Sequence, residues 1–143
     1  MEVNQSITKF VYEWFDDLSA HEPVDRLLPR IYESGLEMVF PERTLRSRAD
    51  FIDWYEAVGR AFADQTHTVE ELRAQERGDL IELSVTVVWT ATRTADRSRS
   101  SFRAHQTWRL RRDADGDLRI VTYRVDDIAP LSDARAADSS GTR

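Results

Sequence analysis

The stretch Phe102-Arg103-Ala104-His105-Gln106-Thr107-Trp108-Arg109-Leu110 alternates between two kinds of side chain. Phe102, Ala104, Gln106, Trp108 and Leu110 fall on one side, and Arg103, His105, Thr107 and Arg109 on the other. A period of two with one apolar side is the pattern of a half-buried β-strand. Gln106 is the polar exception on the apolar face. A buried amide without partners costs roughly 1–3 kcal/mol, so another side chain, a water or a ligand is expected to meet it.

The rest of the chain reads as a container for that face. At 143 residues it is long enough for one domain with its own core. We assign that domain to residues 1–131 and read 132–143, small and polar, as a disordered tail. There is no cysteine, which makes thiol catalysis, disulfides and cysteine-bound metal improbable together and fits a reducing cytoplasm. The opening residues carry no basic-then-apolar leader and no apolar run reaches about 18 residues, so neither secretion nor a membrane span is expected. A formal net charge of -6 argues against a nucleic-acid surface.

Upstream, Ile7, Phe10, Val11, Trp14, Phe15 and Leu18 recur at helical spacing, predicting an amphipathic helix from about Gln5 to Ser19. Ala20-His21-Glu22-Pro23 breaks it. Val24, Leu27, Leu28 and Ile31 predict a shorter second helix ending near Ser34-Gly35. Leu36 to Phe40 alternates as a short strand, and Arg43 to Arg46 fits a brief return. Ser47-Arg48-Ala49-Asp50 has the form of a capping box for a third helix, with Phe51, Trp54, Tyr55, Val58 and Phe62 on its apolar face. Beyond Gln65 the period becomes two. His67 to Ala74, then Ile81, Leu83, Val85, Val87 and Trp89, then the opening stretch, then Leu118 to Ile128 form four successive strands. Turns at Arg77-Gly78-Asp79 and Asp113 to Asp117 separate the first two and the last two. Val121, Tyr123 and Val125 are expected to share the apolar side of the last one.

Three helices followed by a meander predict an α+β fold, a cone-shaped curved antiparallel sheet closed by three N-terminal helices. From Gln5 to about Pro130 this order resembles the nuclear transport factor 2 superfamily. The likeness rests on Gly35-Leu36-Glu37-Met38-Val39-Phe40-Pro41, on the helix start Ser47-Arg48-Ala49-Asp50-Phe51, and on Leu118-Arg119-Ile120-Val121-Thr122-Tyr123-Arg124-Val125-Asp126. Superfamily members include ketosteroid isomerases, scytalone dehydratases, limonene epoxide hydrolases and SnoaL-like polyketide cyclases, and others without a catalytic role. The resemblance implies a cone-shaped pocket between sheet and helices. For a ketosteroid-isomerase-like site it also implies a carboxylate base just before the first strand's proline, where this chain has Val39 and Phe40. The carbonyl-polarising donor would lie near Gln106. The helix-borne tyrosine would lie near Phe15, with Tyr12 one turn earlier.

Four residues are the candidates for chemistry. His67 opens a strand near the pocket mouth and suits a general base, against a reading as a surface or interface imidazole. Gln106 suits an oxyanion or carbonyl donor. Tyr123 is expected to meet Gln106 or a ligand through its hydroxyl. Asp127 is expected to alternate toward the pocket with Tyr123, the alternative being a solvated strand end. Trp14, Met38, Phe40, Trp54, Trp89 and Trp108 are expected to line an apolar cavity suited to a flat polycyclic or terpenoid ligand, or else to form core. His105 is assigned to a subunit interface and His21 to solvent. No metal or cofactor is expected: histidines lack chelating spacing, and Asp113, Asp115 and Asp117 lack the continuation of a calcium loop.

Two functions remain open from the sequence. One is a small hydrophobic ligand-binding domain acting as a cofactor-free isomerase, cyclase or dehydratase. The other is a non-catalytic binding or dimerisation module with a filled core. In either, a homodimer is expected through the face carrying Thr86, Val88, Thr90, His105 and Thr107.

Overall fold

The computed structural model describes residues 4–33 and 35–131. The tail expectation over 132–143 lies outside the described residues. Helix α1 spans Gln5–Ala20, α2 Val24–Leu27 followed by a 3-10 turn Leu28–Arg30, and α3 Arg48–Ala61. The strands are β1 Glu37–Val39, β2 Thr44–Leu45, β3 Phe62–Arg77, β4 Leu80–Arg93, β5 Arg99–Arg112 and β6 Leu118–Pro130. They form one curved, unclosed sheet in the order β2-β1-β6-β5-β4-β3, and the helices cover one face of it. All neighbours are antiparallel except β1 and β6, which run parallel.

The expected stripe of α1 packs down on the sheet, with Ile7, Val11, Trp14, Phe15 and Leu18 buried. Asn4 caps its start by accepting from the Ser6 N–H at 2.8 Å. His21 ends it in the left-handed conformation (φ 49°), a place more often taken by glycine. Asp17 is also buried on this helix and binds Arg30 at 2.7 Å, tying α1 to the turn after α2. In the capping box, Ser47 accepts from the Asp50 N–H, while Asp50 reaches back to the N–H of Arg46 rather than of Ser47.

Two differences from the sequence reading come from pairing. Strand β3 begins at Phe62, five residues before His67, because β4 is long enough to pair it from Arg93 down to Leu80. In β6, Leu110 pairs with Ile120 but Arg109 pairs with Thr122, so Val121 is the extra residue of a bulge. Ile120 is therefore fully buried in the core, and Val121, expected there with Tyr123, is only partly covered.

Candidate functional site

A cavity of about 160 Å³ lies between the inner face of the sheet and helices α1 and α3. Its floor is Val87 and Ala104, paired across β4 and β5. These side chains are small compared with Trp108 and Leu110 further along β5, which are fully buried. The walls are aromatic, with Phe15, Phe40, Trp54, Tyr55, Phe62 and Trp89 among them. Phe40 and Trp54 stack at 4.3 Å and close the side next to β1.

Three of the four candidate chemical groups line this cavity: His67, Gln106 and Tyr123. The His67 ring stacks on Phe15 at 5.4 Å, and its Nδ1 lies 2.9 Å from the hydroxyl of Ser19 on α1. Burial, with no neighbouring carboxylate to offset it, pushes its pKa down to about 4, so the imidazole is neutral near pH 7. Gln106 accepts through Oε1 from the indole N–H of Trp108 at 2.9 Å. The amide has a core partner, and that partner is the tryptophan two residues on rather than the tyrosine expected from sequence. Tyr123 stacks on Trp108 at 4.7 Å. Its pKa is raised by burial, partly offset by the nearby Trp14 and Gln106 N–H groups, so it is a protonated donor. Neither of those neighbours reaches standard hydrogen-bond geometry with the hydroxyl, and the Trp14 indole nitrogen is buried without a partner.

Asp127 does not join them. Gln106 pairs with Val125 while His105 pairs with Asp127, so a second bulge absorbs Asp126 and resets the alternation. Asp126 and Asp127 then both sit on the outer face, where Asp127 binds His105 at 2.9 Å and Asp126 accepts from Thr107 at 2.6 Å. The expectation that Asp127 follows Tyr123 inward assumed an unbroken period of two. Of the six expected lining residues, Phe40, Trp54 and Trp89 border the cavity. Trp14, Met38 and Trp108 are fully buried behind it as core.

Polar lining residues outside the candidates named from sequence include Gln65 and His21. Gln65 is buried, and its Oε1 accepts from the indole N–H of Trp89 at 3.0 Å. The spacing Gln65-x-His67 carries the signal, masked because the apolar stripe of α3 runs on through Phe62, where β3 begins. Asp64 just before it has φ 51° at an irregularity in the β3–β4 pairing, which brings Gln65 into phase with His67. His21, expected in solvent, also lines the cavity. Its ring lies flat on Tyr55 at 4.1 Å and over Gly59, where a Cβ would stand 2.3 Å from Nε2. Tyr55 donates to the Glu22 carbonyl, and its pKa is pushed up to about 12 by burial and by the charges of Asp17 and Glu22.

Away from the cavity, Asp113, Asp115 and Asp117 cluster within 4.8 Å. Asp113 is engaged by the Asp115 and Asp117 N–H groups and by Arg119 at 2.8 Å, the arrangement of a turn that anchors β6. Among the described residues, no helix is long and apolar enough to cross a membrane.

Comparison with solved structures assigns the architecture. A nuclear transport factor 2-like superfamily protein from Salmonella enterica serovar Typhimurium matches with a TM-score of 0.78 and 14% identity, over 94% of this chain and 96% of that one. The hexachlorocyclohexane dehydrochlorinase LinA-type3 from Novosphingobium barchaimii matches with a TM-score of 0.74 and 15% identity, over 97% and 93%. A type 2 LinA dehydrochlorinase gives 0.75 and 14%, over 90% and 88%. The chain has the nuclear transport factor 2-like fold. No family model matches the sequence, and no curated protein matches it either.

Proposed function

We propose that this protein binds a small, largely apolar molecule in the cavity between sheet and helices, and that His67, Gln106 and Tyr123 act on it without a cofactor. The observation that carries this reading is the convergence of those three groups on one aromatic-walled cavity. The chemistry they suit is proton movement next to a carbonyl or leaving group, as in an isomerase, cyclase or dehydratase. Neutral His67 takes the proton, and Gln106 with Tyr123 donates to the oxygen where charge develops. The size of the cavity narrows the substrate. A cavity of about 150 Å³ takes a benzene-sized molecule, so one ring fits here better than the polycyclic ligand expected from the aromatic composition.

A second reading, binding without turnover, is favoured by one observation. Asp127 faces outward, and among the cavity-lining residues the one carboxylate is Glu42, which is exposed. The test is titration of single-ring aromatics against the fluorescence of Trp54 and Trp89, repeated with Ala104→Phe, which fills the floor. Binding lost in the filled variant supports the cavity as the site. Binding unchanged in that variant overturns it. Turnover of a bound carbonyl compound that disappears in His67→Phe distinguishes enzyme from binder. We further propose a homodimer paired through the outer sheet face, in a cytoplasmic setting consistent with a cysteine-free chain.

A further inference from the structure

Two of the polar groups that border the cavity have a fixed sense. An indole N–H can only donate, so the carboxamide facing it must present its oxygen and turn its NH2 away. This occurs twice: Trp89 holds Gln65 at 3.0 Å and Trp108 holds Gln106 at 2.9 Å. Both amides line the cavity, and among the described residues neither amide nitrogen has a hydrogen bond of standard geometry, the Gln106 NH2 lying beside the Tyr123 hydroxyl. Trp89 cannot easily turn away, since Phe62 meets it edge-on at 4.8 Å and Phe102 stacks on it at 5.7 Å. The two amides stand at opposite ends of the floor. Val85 is the cross-strand partner of Gln106, and Trp89 lies four residues further along the same face of β4, about 13 Å away at strand rise.

We propose that Gln65 and Gln106 form a pair of fixed amide donors, one at each end of the cavity, selecting planar single-ring molecules with an acceptor oxygen at each end. The proposal rests on the cavity being a ligand site, as argued above, and adds its polarity and the role of Gln65. A ligand whose ends are donors meets, at each of these two positions, an NH2 that cannot accept from it. A ligand with acceptors at both ends satisfies both amides. Each neutral hydrogen bond gained this way corresponds to roughly a threefold to tenfold gain in affinity.

The experiment compares three probes of similar shape by fluorescence titration or calorimetry: 4-methoxyacetophenone with two acceptors, 4-methylacetophenone with one, and 4-ethyltoluene with none. The wild-type protein is expected to rank them in that order, with about threefold to tenfold between steps. In Gln65→Leu the first two probes become equal while 4-ethyltoluene is unaffected. Trp89→Phe keeps Gln65 but frees its amide to turn, so the acceptor preference at that end falls and 4-ethylphenol gains relative to 4-ethyltoluene. This second variant keeps the test valid should the leucine variant fold poorly. Equal affinity for all three probes in the wild type overturns the donor pair while leaving an apolar ligand site standing. Failure of all three to bind at millimolar concentration overturns the ligand-site reading itself.

Discussion

The hydroxyl of Ser19 lies 2.9 Å from Nδ1 of His67, joining helix α1 to the first long strand beside the cavity. A serine offers no charge to stabilise an imidazolium, which is why burial alone sets the pKa of His67, at about 4 against an ordinary 6.5. The sign of the resulting pH dependence follows. The folded state resists protonation, so its stability is full above about pH 6.5 and declines as pH falls toward 4, by up to about 3 kcal/mol. Urea melts at pH 7.5 and 4.5 measure this, and His67→Phe should lose most of the difference. An equal difference in the variant would show that His67 is not the group responsible.

Gln106→Leu should cost roughly 1–3 kcal/mol, because it strands the buried indole N–H of Trp108. Tyr123→Phe should cost less than about 1 kcal/mol, since its hydroxyl makes no hydrogen bond of good geometry with a described residue. Denaturant melts of the two variants give the comparison. A larger loss for the tyrosine variant would mean that the polar contact of the core is the Tyr123 hydroxyl instead.

Gly59→Ala tests the seat of His21. Alanine favours the helix by about 0.5–1 kcal/mol, but its methyl would stand 2.3 Å from Nε2 of His21 and force the ring off Tyr55. We expect a net stability change below about 1 kcal/mol, loss of the ring-current shift of the His21 protons in NMR spectra, and weaker binding of cavity ligands. An unshifted His21 resonance would show that the ring accommodates the methyl in place.

The outer sheet face carries exposed His105 and Thr107 beside half-buried Val88 and Thr90, with Arg103 paired to Glu70 and His105 hydrogen-bonded to Asp127. β-branched side chains beside the Arg103–Glu70 pair make a surface that a second copy can cover at low desolvation cost, so sedimentation should give a dimer at micromolar protein. Thr107→Arg, placed in the middle of that face, should shift it to monomer. A monomer for the wild type at every concentration would reject the pairing.

Much of this fold was legible because the periods are clean. The stripe of α1, the capping serine of α3 and the alternation of β4 and β5 each point to one structure, and the order of elements points to the nuclear transport factor 2-like arrangement that the structure has. The site was legible only in part, for reasons of phase and sealing. His67, Gln106 and Tyr123 obey simple alternation, and all three border the cavity. Asp127 and Val121 lie at or beyond bulges, which a period of two cannot foresee. Gln65 sits where helical and strand patterns overlap, since Phe62 fits both the stripe of α3 and the start of β3. The seat of His21 depends on Gly59, distant in sequence, a contact that no local pattern encodes. The division of aromatics into lining and core depends on which small residues lie opposite, here Val87 and Ala104, and that is a property of the packed sheet.

The bulge that absorbs Asp126 gives the end of β6 a spare residue. Deleting Asp126 would leave Val125 opposite Gln106 and Ile128 opposite Ala104, so the cavity would keep every contact it has. Ironing the bulge flat without deletion would do the reverse, slipping the strand end by one place and exchanging Ile128 for Asp127 at the rim. Two outward contacts hold the present phase, Asp127 on His105 and Asp126 on Thr107. The route by which a scaffold of this kind would acquire an acid in its pocket is thus a change of reading frame in space: one notch of slippage at a strand terminus, with no change in the helices, the floor or the identity of any inward-facing residue before Val125.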